Sequence, residues 1–216
     1  LVFVGDRALF AQRAARINLA PRLAAYDAAS FAPTGGVCEV WHQPVAAPPR
    51  PGHPDTTNAY STIAMLGAAA DACAAGEFDA LVTAPVQKRA QLGAGIPFSG
   101  HTEFFARRAG VPRVVMMLVG GGERHPVRVA LVTTHLPLAA VPAAVTRDAV
   151  FETIAIVAAG LRSKFRCDAP RIVVCGLNPH TGEDGHLGRE EIDVIAPAIA
   201  AARAEGIDVA GPLPAD

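Results

Sequence analysis

The feature that most constrains the fold of this 216-residue chain is the alternation of short apolar segments with helix-like segments. Five short segments end near Gly or Thr, as strands often do: residues 1–4, 79–83, 113–119, 127–132 and 171–175. Between them, small and apolar residues recur at helical spacing at Tyr60, Ile63, Gly67 and Ala70, at Phe151, Ile154, Ala158 and Leu161, and at Ile192, Ile195, Ile199 and Ala202. The alternation predicts an α/β fold with a mainly parallel sheet and flanking helices.

The sequence also marks where several of these elements begin and end. Asn58 and Thr146 precede helical segments as N-cap residues do, and Gly206 follows the last helix as a C′ glycine does. Residues 120–126 join two predicted strands with too few residues for a crossover helix, so those strands should form an antiparallel hairpin. The predicted sheet is therefore mixed.

Composition and charge exclude several classes of protein. Hydrophobic residues make up 51% of the chain and charged residues 18%, which predicts an ordered core. A net charge of -1 provides no electrostatic footprint for nucleic acid or an anionic membrane. No apolar run approaches the roughly 18–20 residues of a membrane span, and the first residues do not resemble a signal peptide. Four cysteines without a CxxC pair favour a reducing compartment, so we expect a cytoplasmic protein with neither a nucleic-acid nor a membrane partner.

Two histidines follow predicted strands. The chain lacks the GxGxxG, GxxxxGK[ST], HExxH and GxSxG motifs, which argues against the common dinucleotide-binding, P-loop, zincin and α/β-hydrolase sites. His135 and His180 come after the strands at 127–132 and 171–175, and open α/β sheets bind ligands at the carboxyl ends of their strands. Two imidazoles from separate loops would supply part of a metal site. The alternative is that each histidine bonds backbone groups in a turn.

A second candidate site lies in residues 95–103, which are rich in Gly, Pro and polar residues. Thr102 is a predicted N-cap for a helix over 103–108, whose free N–H groups would suit an anion, and His101 would add a donor. The alternative is a capped surface helix with a solvated histidine. Lys88 and Asp184 are candidates for a general base, but the sequence does not identify which residue has that role.

Six stretches together resemble one known family. They are LVTAPVQK at 81–88, GIPFSGHTEFF at 95–105, VVMML at 114–118, RVALVTTHLPL at 128–138, PRIVVCGLNPHTGEDGHLGREEID at 170–193 and GPLPAD at 211–216. In this order and at this length they resemble the 4-hydroxythreonine-4-phosphate dehydrogenases of the vitamin B6 pathway.

The resemblance implies a fold like that of the isocitrate and isopropylmalate dehydrogenases, with two lobes around a cleft. These enzymes bind a nicotinamide cofactor without the glycine fingerprint, in agreement with its absence here. Residues 1–90 would form part of the first lobe and residues 91–216 most of the second.

The resemblance also implies a site and its partners. The family forms homodimers with a shared active site and holds a divalent ion, such as zinc, magnesium or cobalt, with three histidines. Two of these fall on His135 and His180 here. His101 and Thr102 match the family's substrate-binding pair, and the substrate is a small phosphorylated molecule.

The implied reaction is oxidation of 4-phosphooxy-L-threonine with NAD, or NADP, to a β-keto acid that decarboxylates to 3-amino-2-oxopropyl phosphate. Sister enzymes that share these stretches act on phosphorylated threonate or erythronate, or on an aromatic cis-dihydrodiol. A metal-binding module or a metal-dependent hydrolase without redox activity, and a scaffold with incidental histidines, also stay open.

The sequence departs from the family in three places. Gln87 stands where the family usually has His or Asn, and the turn at 120–126 is longer than usual. The family's segments before and after the matched stretches, including the third metal histidine, have no counterpart here. We therefore expect a fragment that lacks activity by itself.

Overall fold

The computed structural model describes residues 1–29, 35–53, 55–122 and 126–215. It contains two compact units, Leu1–Pro112 and Arg113–Asp216. Among the described residues, no helix combines the length and the apolar character needed to cross a membrane.

The first unit contains a three-stranded parallel sheet. Its strands are β1 (Val2–Gly5), β2 (Arg22–Ala25) and β3 (Val37–His42), in the order β1-β3-β2. Helix α1 (Arg7–Arg16) connects β1 to β2. Val40 in the central strand is buried, which is expected where both strand edges are paired.

Three further helices complete the first unit: α2 (Ala59–Ala74), α3 (Lys88–Gly93) and α4 (His101–Ala109). The helical spacing that begins at Tyr60 predicted α2 correctly. Asn58 precedes α2, but its side chain makes no cap hydrogen bond. The side chain instead accepts a hydrogen bond from the N–H of Ala47 at 3.0 Å and donates one to its carbonyl at 2.9 Å. These bonds attach the Pro-rich segment, residues 44–54, to the start of the helix.

The prediction of a strand over residues 79–83 is wrong. The segment has no regular structure, and the side chain of Val82 is 89% exposed. A strand requires a hydrogen-bonded neighbour, and none of the described strands pairs with this segment. An apolar run therefore did not suffice to make a strand here.

The second unit begins with the predicted hairpin. Strands β4 (Met116–Gly120) and β5 (Val127–Leu131) pair antiparallel, with Gly120 opposite Val127. Residues 123–125 of the connecting turn, including His125, lie outside the described residues. The remaining elements are a 3₁₀ turn (Leu138–Ala140), α5 (Val141–Ala144), α6 (Arg147–Phe165), β6 (Ile172–Cys175), α7 (Ala196–Ala204) and β7 (Val209–Leu213).

The core of the second unit lies between α6, α7 and β7. Its most buried members are Val150, Ile154, Ile199, Ala198 and Ala202. Thr146 caps α6 as predicted, because its hydroxyl accepts a hydrogen bond from the N–H of Ala149 at 3.1 Å. Gly206 follows α7 with a φ of 79°, which fits its predicted role after the helix.

The α/β class and the predominance of parallel pairing are confirmed, but the strands do not form one mixed sheet. In the described part of the chain they form three sheets: parallel β1-β3-β2, antiparallel β4-β5 and parallel β6-β7. The antiparallel hairpin is thus a separate sheet, because neither of its strands bonds a third strand there.

A π-helical turn, Glu191–Ile195, leads into α7 and shifts the helix register. Pro197 has no N–H to donate to the carbonyl of Asp193, which removes one α-helical bond at this point. Ile192, predicted to lie on the buried face, is consequently 43% exposed, whereas Glu191 is only 3% exposed. The buried face at this turn therefore carries the Glu191 carboxylate, and the Ile192 side chain lies at the surface.

The start of α1 gives a first testable prediction. Asp6 accepts hydrogen bonds from the N–H groups of Leu9 and Val45, at 3.0 and 3.2 Å, and those bonds lower the pKa of its carboxyl group. Asp6→Ala should destabilise the first unit by about 1 kcal/mol at neutral pH, measured by urea unfolding and by faster hydrogen exchange at Leu9.

The same pKa shift predicts the pH dependence of this effect. Because the folded-state pKa lies below the unfolded one, the stabilisation is complete above about pH 4 and is lost as the pH falls further. The variant and the parent chain should therefore converge in acid. Asp79→Ala, at an exposed position of the same unit, is the control and should change neither measurement. Equal effects of the two substitutions would contradict the capping role.

Candidate functional site

Both predicted metal ligands lie on loops that follow strands of the second unit. His135 follows β5 and His180 follows β6, as the sequence predicted. Both side chains are exposed, and both residues adopt a left-handed backbone, with φ of 54° and 52°. Non-glycine residues rarely take this conformation, and such residues are concentrated at functional sites. The two imidazoles are therefore accessible to a ligand from solvent.

The loop that carries His180 is left-handed along five successive residues. His180, Thr181, Gly182, Glu183 and Asp184 all have positive φ, between 44° and 82°, inside the turn Pro179–Gly185. Four of these five have a side chain, and each pays for a conformation in which Cβ crowds the carbonyl oxygen. Surrounding contacts must hold this segment in place.

Beside this loop lies a cavity of about 440 Å³. It is lined by His180, Thr181, Glu183, Asp184, Glu191, Ile192, Ala196 and Pro212. The lining brings together one imidazole and three carboxyl groups, so the cavity is suited to a cationic or hydrogen-bond-donating group. Asp184, one of the two general-base candidates, is among these residues.

Glu191 connects this cavity to the base of the loop. Its Oε1 accepts hydrogen bonds from the backbone N–H groups of Leu177 and Asn178, both at 2.7 Å. Its Oε2 accepts a third from the Asn178 side-chain amide at 3.0 Å. Burial raises the pKa of this carboxyl group, but the hydrogen bonds from Asn178 and Leu177 outweigh the burial and leave the pKa below its usual value.

The sequence contained a signal for Glu191 that a search for apolar residues alone did not reveal. Glu191 precedes the buried positions Ile195 and Ile199 by four and eight residues, which is the spacing of one helix face. A carboxylate at a core position is rare unless its hydrogen bonds are satisfied. A charged residue in phase with a buried stripe was therefore a candidate for a structural or functional anchor.

The described residues provide a partial set of metal ligands. Imidazole nitrogen suits zinc, cobalt and related ions, and both His135 and His180 are exposed. However, residues 1–29, 35–53, 55–122 and 126–215 contain no group of three or more His, Cys, Asp or Glu side chains that could hold an ion. The donor chemistry of the two histidines fits a metal, and a complete site needs at least one further ligand.

The second predicted site lies at the start of α4 in the first unit. The helix begins at His101 after Gly100, so the prediction that Thr102 is its N-cap is wrong. Thr102 is the second helical residue, and no side chain caps this end. The first N–H groups of α4 are consequently free of a side-chain cap, which leaves them able to bind an anion.

His101 lies in an aromatic cluster. Its ring centroid lies 5.5 Å from that of Phe98, with an angle of 85° between the ring planes. The centroid of Phe105 is 6.0 Å away, with an interplanar angle of 37°. The Nε2 atom is buried and has no hydrogen-bond partner among the described residues. A buried polar atom without a partner costs free energy, so a ligand or water that reached it would be bound favourably.

Two charged side chains converge on the start of α4. A Cβ atom placed on Gly100 would lie 2.8 Å from Oε2 of Glu103 and 3.5 Å from Nζ of Lys88. Lys88, the other general-base candidate, therefore lies beside the helix end that carries His101 and Thr102. The Lys88 ammonium would attract an anion to this helix end, whereas the Glu103 carboxylate, which lies nearer to Gly100, would oppose it.

Helix α4 is fastened to α2 by an ion pair. The guanidinium of Arg108 binds both carboxylate oxygens of Asp71, at 2.6 and 2.5 Å, and this pairing lowers the pKa of Asp71. Gly67 allows the close approach, because a Cβ there would lie 3.0 Å from the Arg108 guanidinium. The bidentate geometry fixes the orientation of α4 as well as its position.

Sequence reasoning also missed Gln91 of α3, which is 3% exposed and whose Oε1 has no partner among the described residues. A separate cavity of about 610 Å³ in the first unit is lined by none of the predicted site residues. Its lining residues are Arg7, Ala8, Ala11, Pro21, Leu23, Ala25, Val40 and His42.

The unpaired imidazole nitrogen generates a prediction about stability. His101→Phe places an apolar ring in the same aromatic cluster and removes the buried Nε2, so the free energy of unfolding at pH 8 should rise by about 1 kcal/mol. Thermal and urea unfolding measure the change. His53→Phe, at an exposed position of the same unit, should give no increase. A clear loss of stability in His101→Phe would mean that Nε2 is hydrogen-bonded in solution.

Comparison with known proteins places these features in a family. The family model described as "Pyridoxal phosphate biosynthetic protein PdxA" matches residues 1–216. Proteins named 4-hydroxythreonine-4-phosphate dehydrogenase from Chromobacterium violaceum and Burkholderia vietnamiensis are each 54% identical to the chain, over 215 and 213 residues. The chain is covered to 100% and 99%, and it spans 64% and 62% of the length of these relatives.

Solved structures agree with this comparison. A 4-hydroxythreonine-4-phosphate dehydrogenase from Klebsiella pneumoniae superposes with a TM-score of 0.86 at 32% identity, covering 99% of this chain and 64% of its own. A terephthalate 1,2-cis-dihydrodiol dehydrogenase from Burkholderia xenovorans superposes with a TM-score of 0.61 at 27% identity, covering 99% and 65%. The α/β fold, the match along the entire chain and the ordered motifs lead to one conclusion: the chain belongs to the PdxA family of pyridoxal phosphate biosynthetic proteins.

Proposed function

We propose that this chain forms part of a 4-hydroxythreonine-4-phosphate dehydrogenase, which oxidises 4-phosphooxy-L-threonine with NAD, or NADP, and a divalent metal ion. The observation that carries the proposal is the similarity to dehydrogenases of that name along the whole chain, at 54% identity. The nicotinamide supplies the hydride acceptor when it is bound. This chain's residues bind and orient the alcohol.

His101 and Thr102 are the proposed substrate-binding residues. Support comes from the uncapped start of α4, from the buried and unpartnered Nε2 of His101 and from the nearby ammonium of Lys88. An anionic group of the substrate, such as its phosphate, would accept hydrogen bonds from the first turn of the helix.

His135 and His180 are the proposed metal ligands, and a third would come from outside the described residues. When bound, zinc, cobalt or magnesium would lower the pKa of the substrate hydroxyl and polarise the new carbonyl group. The exposure of both histidines supports this role, as does the left-handed backbone that each adopts.

The family assignment also supports a proposed architecture for the larger protein. Residues 1–90 would belong to the first lobe and residues 91–216 to the second lobe of an isocitrate-dehydrogenase-like catalytic unit. That unit would act in the cytoplasm as a homodimer with a shared active site.

A second candidate is a sister dehydrogenase for an aromatic cis-dihydrodiol. The similarity to the terephthalate cis-dihydrodiol dehydrogenase favours it, at a TM-score of 0.61. That superposition is poorer than the one with the 4-hydroxythreonine-4-phosphate dehydrogenase, at 0.86, and the relatives at 54% identity carry the name of that phosphorylated substrate. We therefore place the phosphorylated substrate first, with phosphorylated threonate and erythronate as close variants.

Metal binding tests the proposed ligands directly. Because the third ligand lies outside the described residues, the titration with cobalt(II) or zinc uses the relative from Chromobacterium violaceum with these 216 residues in place of its matching segment. This chimera should show one site, and His135→Ala or His180→Ala should each weaken it by at least about 100-fold, the upper end of what loss of an orienting partner costs. His53→Ala is the matched control and should bind as the parent chimera does. Unchanged affinity in both ligand variants would eliminate the proposed site.

Turnover tests the substrate. Because the chain spans 64% of the relative from Chromobacterium violaceum, we would replace the matching segment of that enzyme with these 216 residues. The chimera should reduce NAD or NADP with 4-phosphooxy-L-threonine and a divalent ion. His101→Ala should raise KM for this substrate, because it removes a binding group. A chimera that accepts only a cis-dihydrodiol would make the second candidate correct.

A further inference from the structure

We propose that Glu191 is a positioning residue that fixes the left-handed segment 180–184 and thereby the direction in which the His180 imidazole points. The hydrogen bonds of the Glu191 carboxylate and its contact with Gly182 carry this proposal. It deepens the proposed function, on which its metal-binding test rests, although its spectroscopic test does not.

The left-handed segment is energetically unfavourable by itself. Each residue other than glycine loses free energy in this conformation, because its Cβ crowds the carbonyl oxygen, and His180, Thr181, Glu183 and Asp184 all adopt it. An isolated loop would relax to a right-handed or extended backbone, and the imidazole would turn with it. The observed conformation therefore depends on contacts from outside the segment.

Glu191 holds the chain on both sides of His180. Before the histidine, Oε1 of Glu191 accepts hydrogen bonds from the backbone N–H groups of Leu177 and Asn178, both at 2.7 Å. After it, a Cβ added to Gly182 would lie 2.9 Å from Oε2 of Glu191, so the segment packs directly against the carboxylate. Leu177 and Asn178 before His180, and Gly182 after it, are thus in contact with one side chain.

Gly182 occupies the middle of the segment because its backbone conformation and its close neighbours leave no room for a side chain. Its φ is 82°, and a Cβ there would also lie 2.8 Å from the carbonyl oxygen of Gly188. The N–H of Leu187 donates to the Gly182 carbonyl at 3.0 Å, so backbone from the following loop closes over the segment. Only a residue without a side chain fits between that loop and Glu191.

The charge of Glu191 also matters for these contacts. Its carboxylate accepts hydrogen bonds from three N–H groups and donates none, so both oxygens act as acceptors for the donors around them. The amide of a glutamine would place an NH₂ group against one set of these donors. A carboxylate is therefore required, and a side chain of the same shape without charge would leave one set of contacts unsatisfied.

The contrasting explanation is that Glu191 only stabilises the start of the C-terminal helix. In that case its removal would lower stability without a specific effect on His180. The proposal instead requires a change at His180 that is absent at His135, which lies on a different loop, after β5.

The test compares Glu191→Gln with Glu190→Gln in the 216-residue chain. Glu190 is the adjacent acid and also accepts a hydrogen bond from the Asn178 amide, at 2.8 Å, but receives no bond from the backbone of Leu177 or Asn178. With histidines labelled in the ring, NMR in the absence of metal should show displaced His180 signals and unchanged His135 signals in Glu191→Gln. Glu190→Gln should leave both sets in place.

Cobalt(II) affinity supplies the second readout, measured in the chimera with the Chromobacterium violaceum relative because that protein contains the third ligand. Loss of a group that orients a metal ligand usually weakens binding 10–100-fold, and we expect about that range for Glu191→Gln, with less than about twofold for Glu190→Gln. If Glu191→Gln does not fold, Asn178→Ala takes its place. That variant removes the amide contacts to Oε2 of Glu191 and to Oε2 of Glu190 while keeping the backbone bonds to Oε1 of Glu191, and it should displace the His180 signals more than those of His135.

Each outcome is decisive. If the His180 signals stay in place, or if they move equally in the Glu190→Gln control, the positioning role is wrong. If they move as expected but the parent chimera, which supplies the third ligand, binds no cobalt, the positioning role stands and the proposed metal function fails. The two hypotheses can therefore fail separately.

Discussion

The second unit depends on a carboxylate buried where the chain would otherwise bury an apolar side chain. Glu191 remains charged there because three N–H groups converge on its oxygens and hold its pKa low. The bonds are short and the site excludes most water, so each bond constrains geometry more strongly than an exposed bond would. The register of the last helix, the loop after β6 and the wall of the adjacent cavity all meet at this one group.

The sequence predicted those parts of the fold that local pattern determines. Helices α2 and α6 followed from apolar spacing and the hairpin from a short connection, because each depends mainly on residues near one another in the chain. The prediction of a strand over residues 79–83 failed because a strand depends on a hydrogen-bonded partner that the sequence pattern does not specify. The prediction that Ile192 is buried failed because the missing N–H of Pro197 shifted the helix register by part of a turn.

The candidate site shows the same division. Motifs located His101, Thr102, His135 and His180, since residue type and order along the chain suffice to recognise a family. They did not reveal that Thr102 is inside the helix rather than at its cap, nor that Lys88 approaches Gly100. Those facts depend on how a loop folds back over a helix end. Glu191 was missed for a related reason, because its significance lies in contacts with residues 13 and 14 positions earlier.

The two buried polar groups at these sites illustrate opposite relations between stability and function. The chain gives Glu191 three hydrogen bonds, and a group bound in this way can hold other groups in place. The chain leaves Nε2 of His101 without a partner, at a cost to folding that only binding can recover. A protein selected for stability alone would replace that imidazole with an apolar ring, since Phe98 and Phe105 already surround it. The unsatisfied nitrogen is therefore the stronger indication of a binding role, and the satisfied carboxylate is the stronger indication of a structural one.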